Sequence, residues 1–171
     1  KVGDRIGATN YGYCPLDNSQ PAEIELIIAA PPIFTKSFGD PNFLSFHNVK
    51  YAYTTGAMAG GIASEEMVIA LGKENILSSF GAGGLSLARL EESIKVIQSS
   101  LPNGPYAFNL IHSPNDPEIE RGAVDLYLKY GVETVEASAF LDLTPNIIYY
   151  RAAGLSLNSA NQIQINNKVI A

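Results

Sequence analysis

The sequence has a single cysteine, Cys14, and only two histidines, His47 and His112, among its 171 residues. A lone cysteine excludes an intramolecular disulfide and a cysteine metal cluster. The histidines form no H-E-x-x-H pattern, and no Ser-His-Asp arrangement can be argued from the sequence. Hydrolytic and zinc chemistry are therefore poorly supported, and we predict no metal site.

Positive charge is also scarce. The chain has 11 lysines and arginines against 17 acidic residues, so its net charge is −6, and no basic cluster occurs in it. A nucleic-acid surface needs cations that neutralise phosphates, and an anionic membrane attracts the same kind of patch. The charge therefore argues against both partners.

Long apolar runs are absent too. The longest one, residues 26–34, contains Pro31 and Pro32 and is too short to span a bilayer. The opening KVGDRIGATN has no apolar stretch of the kind found in signal peptides, so we expect a cytoplasmic protein. The chain lacks an initiator methionine, and its final NNKVIA resembles an interrupted strand. We therefore expect a fragment of a longer protein.

The sequence does contain a regular alternation of strand-like and helix-like segments. Residues 1–49 are rich in turn formers and predict an irregular lead-in with one short strand near Ile24–Ala29. Residues 50–171 alternate in units of about thirty residues. The predicted strands are KYAYTTGA, NILSSFGAGG, PYAFNLIHS, VETVEASAF and the end of QIQINNKVIA. The predicted helices are EEMVIALGK, LARLEESIKVIQSSL, EIERGAVDLYLKYG and NIIYYRAAG.

The helix boundaries carry local signals. The expected N-caps are Ser64, Ser86, Asp116 and Thr144, and Gly131 and Gly154 are expected to end two helices. In the third helix the apolar positions are assigned to Ile119, Val124, Tyr127 and Leu128. This α/β alternation predicts a parallel sheet with right-handed crossovers. An open doubly wound sheet and a (β/α)8 TIM-type barrel both fit, and in both a ligand lies beyond the C-terminal ends of the strands.

Two glycine-rich segments follow predicted strands. The first, GAMAGG at Gly56–Gly61, either forms a tight turn or brings the backbone against a flat cofactor, with Met58 as an adaptable apolar wall. Its spacing is not G-x-G-x-x-G. The second, FGAGGLS, is not followed by the Lys-Ser/Thr pair of a P-loop, so closing a short turn is its favoured role.

Three polar residues lie at or near predicted strand ends. Asn109 has both a donor and an acceptor, which suits the edge of a heterocycle. Glu136 stands in an otherwise apolar strand, so its carboxylate must be paired or face a polar cavity. His112 should leave its strand onto a loop, where a proton donor and a surface residue are both common. Glycines and amides at strand ends, with few catalytic side chains, favour a cofactor enzyme.

The segment from Tyr51 to Ala171 resembles the PfaD family, the trans-acting enoyl reductases of polyketide and polyunsaturated fatty acid synthases. The resemblance is carried by YAYTTGAMAGGIASEEMVIALGK, FGAGGLS, PYAFNLIHSPNDPEIERGAVDLYLKYGVETVEASAFLDLTP and NKVIA. It implies the first half of an FMN-binding (β/α)8 barrel, related to nitronate monooxygenases. The later loops that hold the FMN phosphate in this family have no counterpart here, so we expect this half alone to bind FMN weakly.

The resemblance also implies roles for individual residues. The proton donor would be His112 or a water molecule. The residues expected to hold the flavin are Gly56, Ala57, Met58, Ala59, Asn109, Glu136 and Ala137. NADPH would supply the electrons, and the substrate would be an unsaturated acyl thioester on an acyl carrier protein. A homodimer is left open.

Two other functions remain open from the sequence. A nitronate monooxygenase-like flavin oxidase would keep the cofactor and change the reaction. A non-catalytic module that docks an acyl carrier protein would need no flavin. The acidic charge argues weakly against the docking module, because carrier proteins are usually acidic as well and like charges repel.

Overall fold

The structure is a computed structural model that describes residues 7, 8, 28 and 30–171. Contacts divide the chain into two compact units, Lys1–Phe34 and Thr35–Ala171. The elements below belong to the second unit. Cys14 and, apart from Ile28, the predicted strand at Ile24–Ala29 lie outside the described residues. The predicted division into residues 1–49 and 50–171 stays a prediction.

The second unit opens with a short 3-10 helix, Thr35–Ser37. The α-helices that follow are α1 (Pro41–His47), α2 (Glu65–Lys73), α3 (Leu87–Ser100), α4 (Pro117–Lys129) and α5 (Pro145–Ala153). The strands are β1 (Thr54–Thr55), β2 (Leu77–Phe80), β3 (Ala107–Ile111), β4 (Thr134–Ser138), β5 (Leu155–Leu157), β6 (Ile163–Ile165) and β7 (Lys168–Ile170). In the part of the chain that is described, no helix is both long and apolar enough to cross a membrane.

The main sheet is parallel and has the strand order β1-β2-β3-β4-β7. Strand order therefore follows chain order, whereas a doubly wound sheet reverses its order at a switch point. The described strands contain no such reversal, so the architecture is a parallel half-barrel sheet. The α/β class is confirmed, and closure into eight strands stays a prediction.

Helices α2 to α5 form a layer in which each helix contacts the next. The core between helices and sheet is built on aromatic rings from consecutive strands and from α4. The Phe108 ring centroid lies 5.5 Å from that of Phe80 and 5.6 Å from that of Tyr127. All three side chains are fully buried, and each such burial contributes about 1.5–3 kcal/mol. The helix layer thus fixes the direction of β2 and β3, whose ends carry candidate site residues.

Local signals set most of the helix boundaries correctly. Ser64, Ser86 and Asp116 each accept a hydrogen bond from a backbone N–H in the first turn of their helix. Thr144 occupies the N-cap position of α5 but makes no side-chain capping bond. Gly131 follows α4 with a φ of +63°, a left-handed conformation that favours glycine.

One helix, one strand and one hairpin differ from the predictions. Helix α1 lies within the stretch predicted to be irregular, and it begins with an Asp40 N-cap and Pro41, the same signal that opens α4. Strand β1 pairs over only two residues, because the four residues before Thr54 form bends and loop. An antiparallel hairpin, β5 with β6, was not predicted, since alternation in QIQI alone gives no partner strand.

Candidate functional site

The C-terminal ends of β1, β3 and β4 bring several predicted site residues together. Asn109 and Glu136 are direct neighbours in the register of β3 and β4. The Glu136 carboxylate reaches the loop after β1, where Oε2 accepts a hydrogen bond from the Ala57 N–H at 2.9 Å. A Cβ on Gly56 would lie 3.6 Å from Glu136 Oε1. Glu136 is therefore paired, as its place in an apolar strand required.

Asn109 is held in one orientation by β4. It is only 6% exposed, and its Nδ2 donates to the Ser138 hydroxyl at 2.7 Å and to the Glu136 carbonyl at 3.2 Å. The backbone carbonyl of Asn109 accepts a hydrogen bond from the Tyr127 hydroxyl at 2.6 Å. Oδ1 lies 3.4 Å from where a Cβ on Gly83 would stand, so it faces the loop between β2 and α3. The amide side chain thus presents an acceptor toward that loop.

The loops after β1 and β2 are joined backbone to backbone. The Gly60 N–H donates to the Gly83 carbonyl at 2.7 Å, and the Gly61 N–H donates to the Gly81 carbonyl at 2.9 Å. Gly60 and Gly61 have φ values of +69° and +72°. A Cβ on Gly81 would overlap the Met58 carbonyl. The left-handed backbone therefore explains Gly60 and Gly61, which supports the tight-turn interpretation of GAMAGG, and close packing explains Gly81.

Other residues of the same segment are more open. Met58 is 50% exposed, and Ala59 is exposed beside Gly83. Ala137 pairs with Leu110 and packs against the core cluster, so its side chain lies on the sheet face opposite to that of Glu136. Only the Ala137 backbone is placed with the other candidate residues.

His112 leaves β3 onto the following loop, as predicted, but its side chain does not join Asn109. Its Nδ1 lies 2.9 Å from Glu120 Oε2, and its ring centroid lies 5.2 Å from that of Phe140. The contact with α4 places the ring on the helix side of the strand end. His112 and the Asn109–Glu136 pair therefore share no side-chain hydrogen bond, although both lie at the same edge of the sheet.

Glu120 is the residue that sequence reasoning missed. Its side chain is 2% exposed, and its Oε2 also accepts a hydrogen bond from the Ser113 N–H at 2.8 Å. Burial alone would raise the pKa of Glu120, but the Ser113 N–H, the Asn146 amide and His112 together lower that pKa below its usual range. The available signal was spacing, because Glu120 precedes buried Val124 by four residues and buried Tyr127 by seven.

The predicted flavin residues fit one part of that cofactor. Small side chains at Gly56, Ala57 and Ala59 leave backbone open at the end of β1, and Asn109 Oδ1 and the Glu136 carboxylate stand close by. None of the seven predicted flavin-binding residues is cationic. The set therefore suits a ring with donors and acceptors at its edge, and a phosphate would need other residues.

Fold and site together define an α/β protein with a parallel half-barrel sheet and a candidate ligand site at the strand C-terminal ends. No family model matches the chain. It is 52% identical over 139 residues to a subunit of the polyunsaturated fatty acid synthase of Thraustochytrium sp., covering 81% of this chain and 9% of that protein. It is 41% identical over 140 residues to the polyketide biosynthesis protein PksE of Bacillus subtilis, covering 81% of this chain and 18% of that protein.

Among solved structures, the chain is similar to the enoyl reductase domain of MlnA from the macrolactin biosynthesis cluster of Bacillus amyloliquefaciens. The TM-score is 0.75 at 35% sequence identity, over 78% of this chain and 31% of that domain's chain. The resemblance predicted from the sequence is confirmed: the chain is similar to part of a PfaD-like enoyl reductase. It spans less than a fifth of the length of these two curated relatives.

Proposed function

We propose that the chain is part of an FMN-dependent enoyl reductase that serves polyketide or polyunsaturated fatty acid biosynthesis. Its substrate would be an α,β-unsaturated acyl thioester on an acyl carrier protein, and NADPH would be the reductant. The likeness to a solved enoyl reductase domain, at 35% identity and a TM-score of 0.75, is the main support. The backbone of the loop after β1 carries small residues beside Asn109 and Glu136, and this supports binding of a flat heterocycle at that edge of the sheet.

The reaction adds hydrogen across a carbon–carbon double bond. FMN, when bound, would supply hydride chemistry toward the β-carbon of the acyl group. The segment Gly56–Ala59 would bind the ring through its backbone, and Asn109 Oδ1 would offer an acceptor. The Ala57–Glu136 hydrogen bond would keep the β1 loop in place. His112 would give a proton to the α-carbon, so that NADPH and one proton are consumed for each double bond reduced.

The first test is the absorbance spectrum of the intact purified enzyme, followed by mass identification of any small molecule released by heat. We expect a flavin spectrum and the mass of FMN. Oxygen-free NADPH consumption with an enoyl thioester would then support the reductase. Turnover of a nitronate instead would identify a flavin oxidase. Binding of carrier protein without any flavin in the intact enzyme would contradict the proposal and identify a docking module.

A further inference from the structure

Glu120 joins three segments of the chain through its two carboxylate oxygens. Oε2 accepts from the Ser113 N–H at 2.8 Å and lies 2.9 Å from His112 Nδ1. Oε1 accepts from Asn146 Nδ2 at 3.0 Å and from the Thr144 hydroxyl at 3.4 Å. The partners come from the loop after β3 and from the start of α5. A buried carboxylate that accepts several hydrogen bonds holds the segments that donate them in fixed positions.

The Ser113 contact assigns the proton on the His112 ring. A backbone N–H can only donate, so Oε2 is an acceptor, and an ionised carboxylate has no proton to give. The Nδ1 atom that faces the same oxygen must therefore carry hydrogen and donate it. Because Nδ1 is committed to Glu120, Nε2 is the nitrogen left to serve a ligand.

Two further contacts fix where the ring stands. The backbone N–H of His112 donates to the backbone carbonyl of Ser138 at 2.9 Å, and this bond extends the β3–β4 ladder by one residue. The ring lies against Phe140, with an interplanar angle of 33°. His112 is thus fixed at its backbone, on one ring face and at Nδ1, while its side chain remains 28% exposed.

We propose that Glu120 is a positioning residue for His112, which rests on the proposed reductase function. Glu120 holds Nδ1–H inward and leaves Nε2 as the nitrogen that can meet a substrate. After hydride addition at the β-carbon, the thioester enolate takes the proton from His112 Nε2 at its α-carbon. The N–H bond at Nε2 breaks, a C–H bond forms, and the ring is left neutral with its Nδ1–H still on Glu120. Water then restores the proton.

A double-mutant cycle on kcat in the intact, flavin-loaded enzyme tests this role. Glu120→Gln keeps the size of the side chain and removes its charge, so kcat should fall by up to about a hundredfold. In a His112→Asn background the same change should have almost no further effect, because Glu120 acts through His112. Glu118→Gln, an exposed neighbour on α4, is the matched control and should leave kcat unchanged. An equal loss from Glu120→Gln in both backgrounds would overturn the proposal.

A second readout does not depend on turnover. In enzyme labelled with ¹⁵N-histidine, the His112 signals can be assigned as those lost in the His112→Asn variant. We expect Nδ1 to be protonated at neutral pH, and Glu120→Gln to mix the two ring tautomers because an amide does not require Nδ1 to donate. An unprotonated Nδ1 in the unaltered enzyme would refute the assignment. Absence of enoyl reduction with a protonated Nδ1 would overturn the proposed function and leave the ring geometry established.

Discussion

At the scale of single residues, the candidate site depends on the buried hydroxyl of Tyr127, which contacts the backbone of Asn109. The Tyr127 hydroxyl, fully buried, donates to the Asn109 carbonyl at 2.6 Å, and burial raises the pKa of Tyr127 so that it stays a donor. Tyr127→Phe should lower the free energy of unfolding by about 1–3 kcal/mol, because the carbonyl loses its partner. Urea denaturation measures the change. Tyr149→Phe, on the exposed face of α5, is the control, and an equal loss there would contradict this account.

The glycines of the joined loops give a second prediction at this scale. Gly81→Ala would drive a Cβ into the Met58 carbonyl, and a backbone atom cannot turn aside. We expect a loss of about 3 kcal/mol or more in the free energy of unfolding. Gly83→Ala meets its nearest atoms only at 3.4 Å and should cost less than about 1 kcal/mol. If the two variants unfold at the same urea concentration, the loop contact is not what requires Gly81.

The sequence predicts site residues where a polar residue interrupts an apolar strand near its end. It does not predict Glu120, which is a single buried carboxylate within a helix. Asn109 and Glu136 were singled out because a polar residue inside an apolar strand needs a partner, and each has one. Glu120 was missed because the apolar period was assigned to Ile119, which is 42% exposed, and not to its neighbour. The buried face of α4 includes Glu120 and not Ile119, so the carboxylate of Glu120 lies beside the core residues Val124 and Tyr127.

At the scale of elements, capping residues determine where helices start, and their contribution to the free energy of unfolding can be measured. The Ser86 hydroxyl accepts from the Arg89 N–H at 3.3 Å at the start of α3. Ser86→Ala should lower the free energy of unfolding by about 1 kcal/mol. Ser100→Ala makes the same chemical change at the exposed other end of α3 and should change it by no more than about 0.5 kcal/mol. Thermal and urea unfolding would show the difference, and equal effects would mean that the cap does not stabilise α3.

Elements with strong periodicity and caps were predictable, and elements that depend on tertiary pairing were not. Helices α2 to α5 follow from apolar spacing, caps and terminating glycines. The β5–β6 hairpin has exposed strands, and its apolar side chains fall opposite one another, Leu155 with Ile165 and Leu157 with Ile163. Short strands of this kind have too few residues for a period, so only their pairing reveals them.

At the scale of the whole molecule, carboxylates join each neighbouring pair in the helix layer from α2 to α5. Glu65 on α2 lies 2.6 Å from the Arg89 guanidinium on α3. Glu91 on α3 accepts from Lys129 at 2.9 Å and from the Tyr130 hydroxyl at the end of α4. Glu120 on α4 accepts from Asn146 on α5. The layer that supports the site therefore depends on ionised glutamates.

Acid should consequently loosen this layer. Hydrogen bonds from Tyr130 and then Lys129 lower the pKa of Glu91 to about 2. Burial alone would raise the pKa values of Glu65 and Glu120, yet their hydrogen-bond partners lower both. A lowered pKa in the folded state stabilises the fold above the unfolded value of 4.5, and this contribution is lost as pH falls through the folded value. We expect the free energy of unfolding to decrease steadily from about pH 5 downward.

The separate contributions can be distinguished by salt and by substitution. Salt should weaken the exposed Glu91 contacts and leave the buried Glu120 network largely unchanged, because screening acts mainly on solvated pairs. Glu120→Gln should flatten the acid slope of the free energy of unfolding, since the amide does not titrate, whereas the exposed Glu118→Gln should preserve it. Urea unfolding followed from about pH 7 to about pH 2 covers the unfolded pKa values of carboxylates and the lowered folded values, and it measures both slopes. An acid slope as steep in Glu120→Gln as in the unaltered protein would show that the α4–α5 connection does not depend on an ionised Glu120.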